Sequence, residues 1–381
     1  MQGVSSFTNS AISSFGIAFV LAFFLIPLNI RIVQKLKLFD TVFVKEPKNV
    51  LKPTLGGLAI WFSVFSAIAF CYSLIQTTAL VSLVIASLIV LIIGLREDIQ
   101  ELKFYQKLLG QIASAVIVVI VADIRFSSLY DLMGIGEVHI STSYLISIFT
   151  IIVITNAYNL IDGIDGLSGS VGLIASLFFG IWFFLNNEIG LASISLALAG
   201  ALVAFLNYNW APSKIFMGDT GSLFVGFFLS IGAIAFIDLN YSIRGSEFAF
   251  GGSVGTAVAV LIIPLADTLR VFIKRIARGK SPMHPDRTHT HHILLRLGCN
   301  HAQATGILVT VNVIFVLLAL VLRNLSDTIV IPAIILTALA LSTILDSIFR
   351  SAIEKRKEEL REENRRGKAK GKVVTFEKNA G

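Results

Sequence analysis

The sequence predicts an all-α integral membrane protein, a polytopic bundle of about 11 transmembrane helices. Three observations support this fold class. Of the 381 residues, 55% are hydrophobic and only 14% are charged, whereas charged residues make up about a quarter of a typical soluble domain. The mean hydropathy is +0.82. Uncharged apolar stretches long enough to cross a bilayer also recur along the whole chain, so lipid is expected to surround most of it.

The predicted spans follow one another along residues 1–349, which leave no room for a separate soluble domain. A window of about 20 residues, the length that crosses the hydrocarbon layer, locates them. Residues 350–381 form a charged tail outside the membrane. The spans cover residues 11–30, 57–75, 79–95, 108–121, 144–160, 170–185, 190–206, 223–237, 254–273, 305–322 and 328–349.

The positions of lysine and arginine predict how the spans are oriented. With the N-terminus outside, the outer loops contain only Arg125, Arg244 and Arg323, and the inner loops and the tail hold most other basic residues. Cytoplasmic loops carry such an excess, so the C-terminus is expected in the cytoplasm. This bias accounts for the net charge of +7 without a nucleic-acid partner. The inner loops lie near 31–56, 96–107, 159–169, 207–222 and 274–303.

The first two inner loops each carry a polar motif. Residues 45–60 read KEPKNVLKPTLGGLAI, where glycines allow close backbone approach and lysines supply cations, although a plain basic turn is the simpler interpretation. Within residues 94–111, adjacent Glu97 and Asp98 precede Lys107. Such a set can hold a cation, take a proton or contact a phosphate. A short amphipathic connector on the membrane surface is the alternative.

The third inner loop contains the most informative motif, NAYNLIDGIDGLSG at residues 156–169. Asn156, Asn159 and Asp162 recur at three-residue spacing, so a helix continuing through all three would carry a column of oxygen ligands on one face. Carboxylates at the edge of a membrane are costly. Helix capping explains one Asp and one Asn but not the whole set, so this motif is predicted to be functional.

The fourth motif, at residues 207–227, reads NYNWAPSKIFMGDTGSLFVGF. Asp219 stands between Gly218 and Thr220 at the start of a span, where a helix N-terminus favours anions. It could serve only as an N-cap. Together with the preceding Asp-bearing break, it favours a site for a hard cation.

The last inner loop contains SPMHPDRTHTHHILLRLG, with four of the six histidines of the chain: His284, His289, His291 and His292. Their spacing is compatible with zinc. However, no cysteine has partner spacing nearby and Arg287 would repel a cation. Arginine and imidazole together suit an anionic diphosphate better. A solvated basic loop is the alternative.

Three charged residues inside predicted spans are interpreted as structural. Asp267 and Arg270 are three residues apart in the ninth span, a spacing that allows an ion pair within the helix. Asp346 lies close enough to the inner interface to be hydrated.

Taken together, the inner loops supply oxygen ligands for Mg²⁺ and basic groups for phosphates at one membrane surface. Phosphoryl transfer needs that combination, because cations neutralise the moving group while the protein positions the nucleophile. The residues therefore predict a membrane phosphotransferase. A secondary transporter is the main alternative, but its carboxylates would gather near the bilayer midplane. A zinc-dependent membrane hydrolase is another.

The motifs NAYNLIDGIDGLSG, FMGDTGS and DRTHTHH, in this order, resemble those of the polyprenyl-phosphate N-acetylhexosamine-1-phosphate transferases of glycosyltransferase family 4. The resemblance extends over residues 11–349. It implies transfer of HexNAc-1-phosphate from a UDP-HexNAc to undecaprenyl phosphate at a Mg²⁺ site, with Mn²⁺ as an alternative and UMP as the second product. The DRTHTHH form is similar to the GlcNAc branch, which serves O antigen, enterobacterial common antigen or teichoic acid.

The same resemblance implies a bacterial plasma-membrane location with the active site on the cytoplasmic face, and it leaves a homodimer open. Asp219 and Asn159 match the metal ligands of the family. Asp98 matches the proposed base on the lipid phosphate, and Asp162 matches an essential Asp. Glu97 stands where the family usually has a further Asp, so its catalytic role depends on a longer side chain.

The remaining implied residues bind the substrates. Phe216 matches a residue that stacks on uracil, beside the nucleotide contacts Gly163, Asp165 and Asn209. The residues that match the phosphate and sugar side, with His291 also counted as catalytic, are Lys107, Arg287, His289, His291 and His292.

Overall fold

A computed structural model describes residues 2–35, 43–45, 51–71, 77–132, 135–277, 279 and 289–369. Over these residues the chain is a bundle of helices, which confirms the predicted class. The helices are α1 Gln2–Lys35, α2 Gly56–Phe70, α3 Thr77–Ile99, α4 Phe104–Val116, α5 Ile140–Leu160, α6 Leu167–Leu185, α7 Ile189–Asn209, α8 Gly218–Ser242, α9 Ser253–Val260, α10 Ile262–Ala277, α11 Thr290–Arg296, α12 His301–Val321 and α13 Asp327–Ala369.

Two short antiparallel strand pairs lie between the helices. Strand β1, Phe43–Lys45, pairs with β2, Leu51–Pro53, before α2. Strand β3, Ser128–Leu132, pairs with β4, Ile135–Glu137, before α5. A single turn of π-helix, Ile117–Val121, prolongs α4. The strands are too short to form a layer of their own, so the helices build most of the core, to which Tyr130 of β3 also belongs.

Nine helices within the described residues are long and apolar enough to cross a membrane. A tenth span results if α9 and α10 count together. The second predicted span, residues 57–75, appears as α2, which has only 15 residues, and residues 72–75 of that prediction lie outside the described residues. A multi-pass bundle is therefore confirmed, whereas the count of about 11 is not.

The ninth predicted span is not one straight helix, because α9 and α10 meet at an angle of 83°. Pro264 lies in the first turn of α10. A proline has no backbone N–H and removes the hydrogen bond to the carbonyl four residues earlier, which here belongs to Val260. Because of the bend, α10 does not continue along the axis of α9, and Asp267 of α10 does not lie on that axis either.

Helix α8 lies at the centre of the bundle. In its most apolar window, 89% of the residues are buried, against 28% in α1 and 11% in α13. Peripheral helices instead expose large apolar side chains, such as Phe24 at 68% and Leu336 at 65%, as lipid-facing surfaces do. The central position of α8 places its N-terminus, and with it Asp219, among several other helices.

Backbone contacts hold two neighbours against that N-terminus. The amides of Gly56 and Gly57 in α2 each donate a hydrogen bond of 3.1 Å to the carbonyls of Phe216 and Met217. On the other side, a Cβ placed on Gly94 of α3 would lie 2.5 Å from Cα of Thr220. Only glycine permits this approach, which brings the end of α3 to the start of α8.

Candidate active site

The candidate site is centred on the carboxylate of Asp219 in the first turn of α8. Lys107 Nζ from α4 donates to Asp219 Oδ2 at 2.7 Å and to Asn159 Oδ1 at 3.3 Å. Asn159 Nδ2 from α5 donates to Asp219 Oδ1 at 2.8 Å and to Ser222 Oγ at 2.7 Å. Three predicted site residues from three different helices thus meet within hydrogen-bond distance.

Asp98 caps the N-terminus of α8 from the neighbouring helix α3. Its Oδ1 accepts from the backbone amide of Asp219 at 2.9 Å, and its Oδ2 accepts from the amide and the hydroxyl of Thr220 at 3.0 and 2.5 Å. The α8 N-cap residue, Met217, makes no side-chain cap bond. The alternative in which Asp219 caps its own helix is therefore wrong, because Asp98 supplies the cap.

Asp162 lies in the turn between α5 and α6 and is half-buried. Its pKa is raised to about 8, mainly by burial, and the charges of Asp219 and Asp98 contribute in the same direction. Hydrogen bonds from Ser168 and from the backbone of Gly218 act in the opposite direction. The Ser168 hydroxyl donates to Asp162 Oδ1 at 2.5 Å. Without a bound cation, this carboxyl is expected to be protonated at neutral pH.

The expected column of oxygen ligands is only partly present. Helix α5 ends at Leu160, so Asp162 lies beyond the helix. Asn156 turns inward, where its Nδ2 donates to Gln111 Oε1 at 2.7 Å. Asn159 alone reaches Asp219 from the helix, because the glycine-rich sequence ends the helix before the third member.

Asp165 and Asn209 connect the two loops that frame the site, residues 161–166 and 210–217. Asp165 is 5% exposed, and its carboxylate accepts from Ser213 N at 3.1 Å and from Ser213 Oγ at 2.8 Å. Asn209 accepts from the amide of Gly166 at 2.9 Å. Both side chains thus stabilise the loops, and their predicted nucleotide contacts stay predictions.

Phe216 and Glu97 lie at the edges of this arrangement. Phe216 is half-buried, and its amide donates to the carbonyl of Pro53 at 2.9 Å. Glu97 Oε2 accepts from the amide of Leu102 at 3.0 Å, so it shapes the turn between α3 and α4. The two neighbouring acids therefore have different surroundings: Asp98 contacts α8, whereas Glu97 contacts its own loop.

The histidines at the start of α11 form a stacked cluster. The rings of His289 and His291 lie 5.8 Å apart at an angle of 12°, and those of His291 and His292 lie 4.2 Å apart. Burial lowers the pKa of His291 to about 4, which keeps this ring neutral. A Cβ on Gly163 would lie 2.4 Å from His291 Nε2, so the cluster adjoins the Asp162 turn. Arg287 lies outside the described residues.

Asp267 belongs to this cluster, which sequence reasoning missed. It does not take up the expected pairing with Arg270: its carboxylate accepts from His289 Nδ1 at 2.7 Å and from the amide of Thr290 at 2.7 Å. Arg270 instead donates to Asp346, so Asp346 has an ion-pair partner in addition to any water. A buried carboxylate needs donors, and the nearby histidine motif was a signal for where they lie.

The donor set fits a hard cation. Asp219 Oδ2 and Asn159 Oδ1 converge on the Lys107 ammonium, so these two oxygens already face one positive charge. Carboxylate and amide oxygens are ligands for Mg²⁺, which usually keeps several waters and binds substrate phosphates. Within the described ranges, no three His, Cys, Asp or Glu side chains surround a common metal position. An ion at Asp219 would therefore need substrate and water ligands.

An apolar cavity of about 250 Å³ adjoins the histidine cluster. Asp267 and His291 lie at its polar end, and Leu294, Ile307 and Ile344 are among the apolar residues that line the rest. A second apolar cavity, of about 310 Å³, lies between α5, α8 and α9. The first cavity offers apolar space beside charged groups, whereas no charged residue lines the second.

Comparison with known proteins is consistent with this arrangement. Residues 80–237 match the family model of glycosyl transferase family 4, a range that contains Asp98, Asp162 and Asp219. A decaprenyl-phosphate N-acetylglucosaminephosphotransferase of Mycolicibacterium smegmatis is 33% identical over 278 residues, which cover 66% of this chain and 67% of the relative. A protein of the same name from Mycobacterium leprae is 32% identical over 272 residues, 66% of this chain and 68% of the relative. An undecaprenyl-phosphate alpha-N-acetylglucosaminyl 1-phosphate transferase of Escherichia coli is 27% identical over 282 residues, 72% and 73% of the two chains.

Proposed function

The chain belongs to glycosyl transferase family 4, and from this premise we propose that it transfers GlcNAc-1-phosphate from UDP-GlcNAc to undecaprenyl phosphate, releasing UMP. The relatives are named as phosphotransferases acting on polyprenyl phosphates. The observation that carries the proposal is the convergence of Lys107, Asn159 and Asp219 at the start of α8. In that arrangement the Lys107 ammonium lies beside oxygen atoms that can bind a metal ion. Transfer of a phosphate group requires such positive charge, because the moving group is negatively charged.

Mg²⁺ is the proposed cofactor, with Asp219 and Asn159 as its ligands. When bound there, it would neutralise charge on the diphosphate of the donor. Lys107, whose ammonium lies 2.7 Å from Asp219, is positioned to contact phosphate oxygens as a further cation. The histidine cluster, together with Arg287, is proposed to bind the phosphate and sugar side of the donor.

The proposed reaction is a direct displacement. An oxygen of the lipid phosphate attacks the β-phosphorus of UDP-GlcNAc, and the bond from that phosphorus to the bridging oxygen breaks. The bridging oxygen leaves with UMP. Asp98 is proposed to assist deprotonation of the lipid phosphate and, through its cap on α8, to position Asp219. Inversion at phosphorus would support this single displacement, whereas retention would support a covalent Asp intermediate.

The membrane arrangement is part of the same proposal. The N-terminus lies outside and the C-terminus in the cytoplasm of a bacterial plasma membrane, so the site faces the cytoplasmic pool of nucleotide sugars. Lys107, Asp98 and Asp219 all belong to helix ends on the side of the basic loops, where positive residues are expected. The apolar cavity beside the histidine cluster provides space for a lipid chain close to this surface.

The experiment is a UMP-release assay with purified protein, undecaprenyl phosphate, Mg²⁺ and a panel of UDP-sugars, with mass spectrometry of the lipid product. We expect UMP and a lipid diphosphate sugar from UDP-GlcNAc, and neither from an Asp219→Ala protein. Proton-coupled flux in liposomes without UMP release would instead favour a transporter. Activity that strong zinc chelation abolishes, with Mg²⁺ supplied, would favour a zinc hydrolase.

A further inference from the structure

Asp267 of α10 receives hydrogen bonds from three donors at the start of α11. Its Oδ2 lies 2.7 Å from His289 Nδ1, and its Oδ1 accepts from the amide of Thr290 at 2.7 Å and from the Thr290 hydroxyl at 2.5 Å. Asp267 and His289 are each 5% exposed. A carboxylate buried to this extent is stabilised only when its oxygens are bonded, and here all three bonds come from one short segment.

This arrangement determines which nitrogen of His289 carries a proton. The amide of Thr290 can only donate, so Oδ1 of Asp267 must accept. An ionised carboxylate has only acceptors, so His289 Nδ1 must donate to Oδ2. The other ring nitrogen, Nε2, then presents a lone pair in the neutral ring or a second N–H in the charged ring.

The orientation of His289 reaches the candidate site through stacked rings. His289 lies nearly parallel to His291, with ring centroids 5.8 Å apart. The His291 ring in turn packs against Gly163, where a Cβ would lie 2.4 Å from Nε2. Asp267 thus bonds one imidazole directly, and that ring stacks on a second imidazole beside the Asp162 turn.

We propose that Asp267 is a positioning residue for the phosphate transfer, because it holds His289 with Nδ1 protonated and aligns the histidine cluster toward the donor phosphates. Neither the family match nor the names of the relatives assign Asp267 a role. The inference rests on the proposed function. It adds a residue that touches no reacting atom and acts through His289.

The test uses Asp267→Asn, which keeps the shape of the side chain. The Thr290 amide still requires an acceptor, so the Asn oxygen takes that bond and its NH₂ group faces His289 Nδ1. That nitrogen must then accept, and the proton moves to Nε2. The matched control is Thr290→Val, which removes only the hydroxyl bond and leaves both the backbone cap and the His289 contact in place.

We expect Asp267→Asn to lower kcat by about tenfold to a hundredfold, the usual loss when a group that orients a histidine is changed, while the protein still purifies folded. Thr290→Val should stay within about twofold of wild type. In a His289→Ala background, Asp267→Asn should cause no further loss, because residues acting as one unit are not additive. In ¹⁵N-histidine-labelled protein, the ring-nitrogen signals of His289 are identified as those absent from the His289→Ala spectrum. We expect these signals to shift in Asp267→Asn.

Two results would overturn the inference. One is an Asp267→Asn protein whose kcat matches that of an active wild type. The other is a double variant, Asp267→Asn with His289→Ala, whose loss of kcat equals the product of the two single losses. That result would mean that Asp267 acts only by capping α11. A wild-type protein that releases no UMP under any condition would instead refute the proposed function, and the transfer role of Asp267 with it.

Discussion

The carboxylate of Asp98 accepts a 2.9 Å hydrogen bond from the backbone amide of Asp219. The two residues are 121 positions apart in the chain, and the bond joins the end of α3 to the start of α8. A carboxylate at a helix N-terminus satisfies amides that have no partner inside the helix. The position of Asp219, the proposed metal ligand, therefore depends on Asp98, the residue proposed as the base.

Asp98→Asn distinguishes the proposed role of Asp98 as a base from its role as the cap of α8, through the pH dependence of activity. If Asp98 mainly deprotonates the lipid phosphate, raising the pH should restore much of the lost rate, because the phosphate then loses its proton unaided. If Asp98 mainly caps α8, its replacement should remain at least about a hundredfold less active at every pH. In Asp98→Asn one of the two acceptor oxygens becomes an NH₂ group, which cannot accept from the Asp219 or the Thr220 amide. We expect the second result in UMP-release rates measured from pH 6 to pH 9.

Glu97→Gln is the matched control, because it neutralises the adjacent carboxylate whose described bond is to Leu102. A full recovery of Asp98→Asn at high pH would contradict the capping role. A Glu97→Gln loss as large as that of Asp98→Asn would show that the acidic pair acts as one unit.

Asp219→Ala should abolish transfer, by about a thousandfold or more, because a methyl group cannot hold a cation. Loss of the carboxylate also removes the ion-pair contact to Lys107, at 2.7 Å, and leaves Lys107 its bond to Asn159. The measurement is UMP release as a function of Mg²⁺ concentration. Asp238→Asn changes a carboxylate at the other end of the same helix, where it accepts from Ser127 and Tyr130, and it should retain activity. Normal Mg²⁺-dependent turnover by Asp219→Ala would rule out this ligand assignment.

The membrane bundle and the central part of the site could be predicted from local features of the sequence. The length of the apolar stretches predicts the spans, and the side-chain chemistry of Asp219, Asn159 and Lys107 indicates cation and phosphate binding. Asp267 could not be assigned correctly, because its nearest charged neighbour in sequence is Arg270, whereas its partner His289 is 22 positions away. Sequence spacing favours pairs within a helix, and it does not show how a bent helix meets the next loop.

The bend between α9 and α10 has a local cause, Pro264, that the apolar pattern of the segment does not show. Hydropathy treats residues 254–273 as continuous, since proline is compatible with an apolar run. The missing N–H of Pro264 nevertheless ends the bonding of α9 near Val260. The angle of 83° between α9 and α10 is a tertiary feature that the apolar pattern of this segment does not predict.

Gly163→Ala should impair transfer by displacing His291. The added Cβ would lie 2.4 Å from His291 Nε2, well inside van der Waals contact, so the ring or the turn must move. A misplacement of about 1 Å near a reacting group can cost about a hundredfold in rate. The control is Gly306→Ala in α12, where a Cβ meets nothing within 4 Å. Equal UMP-release rates for the two variants would show that the His291 contact is unimportant.

Asp162 should make the stability of the protein depend on pH in a defined direction. Its pKa is about 8 in the folded state, against an ordinary value of 3.8, so between these values the folded chain retains a proton that the unfolded chain has released. Stability rises with pH only where the unfolded state binds more protons. Here the folded state binds more, so the contribution of Asp162 to stability falls as the pH rises from about 4 to about 8. Asp162→Asn cannot titrate and should lose less thermal stability over that interval, when both proteins are unfolded without divalent cations. Parallel Tm profiles of the wild type and Asp162→Asn from pH 5 to pH 8 would contradict the raised pKa. A wild-type Tm that falls faster than that of Asp162→Asn would support a carboxyl that stays protonated beside Asp219 until a cation binds.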